Sequence, residues 1–433
     1  MTTSDSAGFL SGVIEGFYGP PWSAAERTQL LEWMRAWGLN TYVYAPKDDL
    51  KHRALWREPY TTAEAETLGQ LIRAARERGV RFIYALSPGL DLRYSDAADL
   101  ARLRAKFAQL LSLGCEHFAL LFDDIPDRCD IGALAAAQCE VTNGVFVWLR
   151  EQRGTAQLAF CPTPYCGRMA GRELGGPGYL ETVGRELAPE IDVFWTGPEI
   201  ISREITVAHV RELKTILRRP PLIWDNLHAN DYDGRRFFCG PYAGRAPELR
   251  GEVRGLLVNP NCEFPLNFVP LRTLAAFTQS QQFDARAAYV AALCEWWPGF
   301  ATIGAPLAWE DFVVFCDCYY LPHEDGAEAE ALFQRVRAAL SAKPAPAVRA
   351  AVARLRDFCA RLTELRDRSL FNALSRRVWE LREELDLIDR YLASPRGSVA
   401  SDFHLPGTYR GGFVPRLQRL LAPQPDGSFA PPP

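Results

Sequence analysis

The chain has 433 residues, and 49 Lys plus Arg against 53 Asp plus Glu leave a formal charge of −4. That balance lacks the positive surplus that phosphate neutralisation needs, so no nucleic-acid partner is expected. Hydrophobic residues at 48% and charged residues at 24% suit a core-forming globular chain and exclude disorder over most of its length. Apolar stretches such as Phe312 to Cys316 fall far short of the roughly 18 residues of a membrane helix, so no membrane span is expected. The opening MTTSDSAG has neither the basic nor the apolar region of a secretory signal, which predicts a cytoplasmic chain whose 11 Cys stay reduced.

In chain order, short apolar runs alternate with amphipathic helical patterns, the grammar of βα units and a parallel sheet. Eight runs occur: Leu10 to Ile14, Thr41 to Tyr44, Arg81 to Leu86, His117 to Phe122, Gln157 to Phe160, Ile191 to Phe194, Pro221 to Trp224 and Gly255 to Val258. Between the first two, Ser23 to Gly38 opens with a Ser cap and Glu26 three residues on and closes at a Gly, a punctuated helix. Thr61 to Gly79 repeats that pattern, and Leu100 to Leu113 and Ile131 to Arg150 also predict helices. The order and length predict a (β/α)₈ TIM barrel over residues 1–285, in which the polar segments after each run gather on the C-terminal face where active sites sit.

Beyond residue 285 helices dominate, predicting an all-helical domain over 286–396 and a Pro/Gly-rich tail over 397–433 whose last residues are disordered. Phe371, Leu374, Val378, Leu381, Leu385, Ile388 and Leu392 follow a heptad spacing, with a shorter companion seam at Val352, Leu355, Cys359 and Leu362. Either the companion seam covers the longer one in an antiparallel hairpin within the chain, or, since the companion is shorter and leaves part of it bare, a second copy of the chain covers it through these helices; the homodimer is the expectation.

Several residues carry candidate chemistry. Asp123 and Asp124 end the fourth run, where an isolated Asp pair equally caps a helix or makes a turn. Emerging from a buried strand into a barrel mouth, the two charges oppose each other, and one carboxyl is expected to hold its proton toward neutral pH. Neighbours on one strand end serve poorly as the two carboxyls, roughly 5 Å apart, of a conventional retaining glycosidase. Were the reaction glycoside cleavage, a 2-acetamido oxygen of the substrate would supply the nucleophile, with one Asp orienting the acetamide N–H and the other protonating the leaving oxygen. The segment Asp225 to Asp233 offers Asp225, His228, Asp231 and Asp233, but the spacing matches neither a calcium loop nor a zinc helix, so no metal is expected and His228 is read as a packed histidine. Cys161 and Cys166, and likewise Cys316 and Cys318, read as core thiols. Lys47 is one of only five Lys, which favours a ligand contact; Tyr165 suits a hydroxyl donor or a rim aromatic; Gly16 can let a ligand meet the backbone.

In sequence order, GVIEGFYGPPW, NTYVYAPKDDLKHR, FIYALSPGLD, FALLFDDI, FCPTPYCG, WTGP, WDNLHANDYD and NPNCEF resemble the catalytic domain of the protein O-GlcNAcases, glycoside hydrolase family 84, from about Gly12 to Phe264. The resemblance implies a retaining exo-β-N-acetylglucosaminidase that removes O-GlcNAc from Ser and Thr of proteins through an oxazoline intermediate, with no cofactor and no metal. It implies Asp124 as general acid/base and Asp123 as the residue that orients and polarises the acetamide. It further implies substrate contacts from Gly16, Lys47, Tyr165, Trp224, Asn226, Asp231 and Asn259. The helical region is similar in kind to that family's stalk. A hexosaminidase acting on free GlcNAc-containing oligosaccharides, or a catalytically silent GlcNAc-binding protein, stand as alternatives.

Overall fold

The computed structural model describes residues 8–125, 131–171, 174, 178–342, 345–401 and 411–432. The strands β1 (Leu10–Glu15), β2 (Thr41–Tyr44), β3 (Arg81–Leu86), β4 (His117–Leu121), β5 (Gln157–Cys161), β6 (Asp192–Trp195), β7 (Leu222–Asp225) and β8 (Gly255–Val258) close into a parallel barrel in chain order, β8 pairing back onto β1. Each expected run became a strand, three with the expected bounds and five with ends shifted by one residue.

Alternation decides what fills the barrel. Ile14, Val43, Ala45, Ile83, Ala85, Ala119, Leu121, Ala159 and Cys161 pack inward in one cluster. Their neighbours, such as Tyr42, Tyr84, Phe118 and Phe160, are buried on the other side of the strands, which is why the strands read as apolar on both faces. On β1, Gly12 runs so close to β2 that a Cβ there would stand 1.9 Å from the Thr41 carbonyl oxygen. The expected capping boxes are present: Ser23 with Glu26 opens the helix Ala24–Trp37, and Thr61 with Glu64 opens Thr62–Glu77. Gly38 ends the first of these in the left-handed conformation, at φ 69°.

The chain divides into two compact units, the first of residues 1–227, 243–262 and 274–283, the second of 228–242, 263–273 and 284–433. The segments 228–242 and 263–273, which a single cut at 285 assigns to the barrel, thus join the helical unit. Phe237, Cys239, Leu266 and Val269 explain this, because they are buried in the core of the second unit.

That core also corrects two expectations. The helix Arg368–Ala393 carries the long seam, and Leu374, Val378, Leu381, Leu385, Ile388 and Leu392 are buried within one chain, Phe371 partly so. The helix Pro346–Arg361 lies along it, and the ion pairs Arg349–Asp389 (3.0 Å) and Arg356–Asp386 (2.9 Å) show that the two run antiparallel. The companion seam does not work alone, because residues 413–421 complete the cover. They belong to the Pro/Gly-rich tail, where a helix at Phe413–Gln418 and a small sheet of residues 399–400, 422–423 and 428–430 form, so that 428–430, near the end expected to be disordered, is a strand. Phe413, Val414, Leu417, Leu421 and Phe429 are buried, enough apolar surface to order a Pro/Gly-rich segment. Residues 402–410 and 433 of the tail, and Lys343 and Pro344 between the two helical pieces, lie outside the described residues.

Candidate active site

β4 delivers both carboxylates. The Phe122 N–H still reaches the Cys161 carbonyl oxygen at 3.0 Å, extending the β4–β5 ladder by one residue, and the chain then turns sharply. Asp123 is buried, whereas Asp124 is exposed and takes a left-handed φ of 50°. For a non-glycine residue this conformation costs roughly 1–2 kcal/mol, so its surroundings must impose it. The two side chains consequently enter different environments.

Lys47, from the segment after β2, donates to Asp123 Oδ2 as a buried ion pair. Among the described residues, Asp123 Oδ1 is buried with no hydrogen-bond partner. Burial works against the charge of Asp123, yet Lys47 and then Arg53 outweigh it and hold the carboxyl below its ordinary value. The expected mutual repulsion therefore does not raise Asp123, because a cation stands against it. Asp124 instead accepts two phenol hydrogens, from Tyr165 to Oδ1 at 2.7 Å and from Tyr18 to Oδ2 at 3.0 Å. Burial and then the Asp124 charge push both phenols up, so both donate.

A second network lies beside the first. Asn226 Oδ1 accepts from Trp224 Nε1 at 3.1 Å and from Asn259 Nδ2 at 3.0 Å, while Asn259 Oδ1 accepts from the Gly16 N–H at 3.3 Å. Gly16 is required by packing, since a Cβ there would stand 2.3 Å from Trp224 Cζ2. Lys47 Nζ sits 5.6 Å from the Trp224 ring centroid, which joins the two networks. Beneath the turn, Asp225 is fully buried in a bidentate pair with Arg245, both contacts at 2.7 Å. Asp231 falls on segment 228–242 and so belongs to the second unit. His228, in the same segment, is fully buried with Nε2 3.0 Å from the Gly240 carbonyl oxygen, the packed histidine expected. Cys161, Cys166, Cys316 and Cys318 are buried free thiols.

Sequence reasoning passed over Tyr18 and Arg53, although both stand inside quoted motifs, EGFYG and PKDDLKHR. It also passed over Glu15, whose carboxylate is buried in a pair with Arg27 (2.7 Å) and accepts from the Trp22 N–H (2.9 Å) and the Tyr42 hydroxyl. A charged residue inside an otherwise apolar strand was the available signal for Glu15. Among the described residues, no three His, Cys, Asp or Glu side chains assemble as a metal site, and no helix is long and apolar enough to cross a membrane.

Comparison with known proteins agrees with this geometry. A family model described as beta-N-acetylglucosaminidase matches residues 11–301. The protein O-GlcNAcases of Rattus norvegicus and Mus musculus are each 47% identical over 284 residues, which is 64% of this chain but 31% of theirs. The chain thus spans about a third of those relatives. A mutant O-GlcNAc hydrolase of Thermobaculum terrenum superposes with a TM-score of 0.76 at 31% identity, covering 88% of this chain and 83% of that one.

Proposed function

This chain belongs to the beta-N-acetylglucosaminidase family, and from that membership we propose that it is a retaining exo-β-N-acetylglucosaminidase removing O-GlcNAc from Ser and Thr of proteins. The observation that carries the proposal is the asymmetry of Asp123: Oδ2 is taken by Lys47, while Oδ1 is buried and unpartnered among the described residues. A buried anionic oxygen without a donor is costly, and an acetamide N–H would satisfy it.

In this reading Asp123 accepts the acetamide N–H and turns the acetamide oxygen onto the anomeric carbon. The bond from that carbon to the leaving oxygen breaks, Asp124 gives its proton to the leaving oxygen, and Asp123 stabilises the N–H of the resulting oxazolinium or takes its proton. Asp124 then removes a proton from water as it attacks the same carbon and reopens the ring, Asp123 giving back to the nitrogen any proton it took, so two inversions give retention. A tethered nucleophile enjoys effective molarities of about 10⁵ to 10⁸ M, which makes an enzymic nucleophile unnecessary. Gly16, Lys47, Tyr165, Trp224, Asn226 and Asn259 are assigned to sugar binding. Free described cysteines support a reducing, cytoplasmic setting. The homodimer no longer has the seam as its argument, because that face is covered within one chain.

Turnover of an aryl N-acetylglucosaminide tests the enzyme against a silent sugar-binding protein. Release of GlcNAc from an O-GlcNAc peptide faster than from chitobiose is expected, and the reverse preference would favour the free-oligosaccharide hexosaminidase. A stable sugar adduct on any carboxylate of the chain would falsify the oxazoline route.

A further inference from the structure

Arg53 meets four parts of the site from one buried position. Its guanidinium Nη1 donates to Ser87 Oγ at 2.9 Å and to the Asp123 carbonyl oxygen at 3.4 Å, and Nη2 donates to the Asp124 carbonyl oxygen at 2.8 Å. Its Cζ lies 5.9 Å from the centroid of the Tyr18 ring, the phenol that donates to Asp124. Arg53 is 7% exposed, and these hydrogen bonds go to one hydroxyl and two carbonyl oxygens. Ser87, which follows β3, is fully buried and anchors the near end.

We propose that Arg53 is a positioning residue for the reaction proposed above: by holding the carbonyls of both Asp123 and Asp124 it imposes the left-handed turn that sends the two carboxyls to different tasks. The proposal rests on the functional reading for its kinetic test only. Two carbonyls drawn to one planar cation fix the peptide between them, and with that peptide fixed Asp124 keeps φ near 50° although it is not a glycine. Its carboxylate then faces Tyr18 and Tyr165, and Asp123 is left to Lys47. An ammonium, whose three donors sit on one nitrogen at the end of a flexible stem, does not span Ser87 and both carbonyls as the planar fork does, so Lys is not an equivalent residue here. The guanidinium is also the second cation that favours the ionised form of Asp123.

The test compares Arg53→Met, Arg53→Lys and Ser87→Ala with the parent chain. Arg53→Met is expected to lower kcat for a poor leaving group roughly 10- to 100-fold with KM nearly unchanged, and to move the acid limb of kcat/KM to higher pH, because Asp123 loses a cationic neighbour. Arg53→Lys should keep the acid limb and still lose kcat. Ser87→Ala, which leaves the guanidinium in place, should lose kcat several-fold with no shift of the limb, and serves if Arg53→Met does not fold. A purely structural role would lower the melting temperature and the active fraction while leaving the pH profile and the leaving-group dependence as in the parent; that result overturns the proposal. Should the parent not cleave the N-acetylglucosaminide, the functional reading fails separately, and carboxyl ¹³C titration of Asp123 in parent and variants still decides whether Arg53 biases it. No upward shift in Arg53→Met would then sink the assignment.

Discussion

The Tyr165 hydroxyl donates to Asp124 Oδ1 at 2.7 Å, across 41 residues of sequence, and so fixes the exposed carboxyl from its buried side. Tyr165 packs in the barrel core, whereas Tyr18 on the other carboxyl oxygen is 43% exposed. A hydrogen bond to a charged group is worth about 1.5–3 kcal/mol. Tyr165→Phe should therefore lower kcat on aryl N-acetylglucosaminides by roughly 10- to 100-fold, read by steady-state kinetics, with the fold intact by circular dichroism.

The two carboxyls should separate in a leaving-group series. Asp124→Asn is expected to cost roughly 10²- to 10⁴-fold for poor leaving groups and much less for activated aryl groups in the glycosylation step. Asp123→Ala should impair every substrate that relies on the acetamide, whatever its leaving group. Equal losses in Asp124→Asn across the series would remove its role as acid.

If the proposed function holds, Lys47 is expected to set the acid limit of activity. Asp123 is held below its ordinary value, so the fraction ionised, and with it kcat/KM, should persist into mildly acidic solution and fall only as the pH drops through that lowered value. Lys47→Met removes the directly paired cation and should move the limb upward in pH, alongside weaker sugar binding. An unchanged limb in the pH profile would show that Asp123 does not control it.

In the second unit, Glu380 and Glu384 are buried one turn apart on Arg368–Ala393. Glu384 accepts from Gln418 Nε2 at 3.2 Å, while Glu380 lies 3.9 Å from Arg235 Nη1, whose Nε is 3.7 Å from Asp233. Burial pushes each carboxyl up to about 7. The folded unit then binds more protons than the unfolded chain between an ordinary Glu value of roughly 4.3 and about 7, so stability should fall as pH rises through that window. Glu380→Gln with Glu384→Gln should flatten the decline, as measured by melting temperature against pH.

Leu381 is fully buried. Leu381→Ala should cost about 2–5 kcal/mol by denaturant unfolding, and Leu381→Glu should unfold the helical unit outright. A folded Leu381→Glu chain that merely changes from twice 48.5 kDa to one chain mass by light scattering would restore the seam as a dimer surface.

Local signals made much of this molecule legible. The strand order follows from apolar runs and their spacing; the helix starts follow from Ser23 with Glu26 and Thr61 with Glu64, whose partners lie within one turn of each other. The Asp pair, Lys47 and the Trp224–Asp225–Asn226 turn could be located because motifs are contiguous in sequence. Their contacts could not. Lys47 and Asp123 are 76 residues apart, and Arg53 reaches the two Asp carbonyls across 70 and 71 residues. Only barrel closure makes such groups neighbours, and only then does cation proximity outweigh burial to keep Asp123 charged. The same holds for the seam, whose spacing announced a buried face but not its cover. Residues 413–421 supply part of that cover because a few large apolar side chains outweigh the Pro and Gly around them once a core exists to receive them. Periodicity and capping act over a few residues and can be read from the chain, whereas pairing, burial and titration depend on distances that only the folded structure fixes.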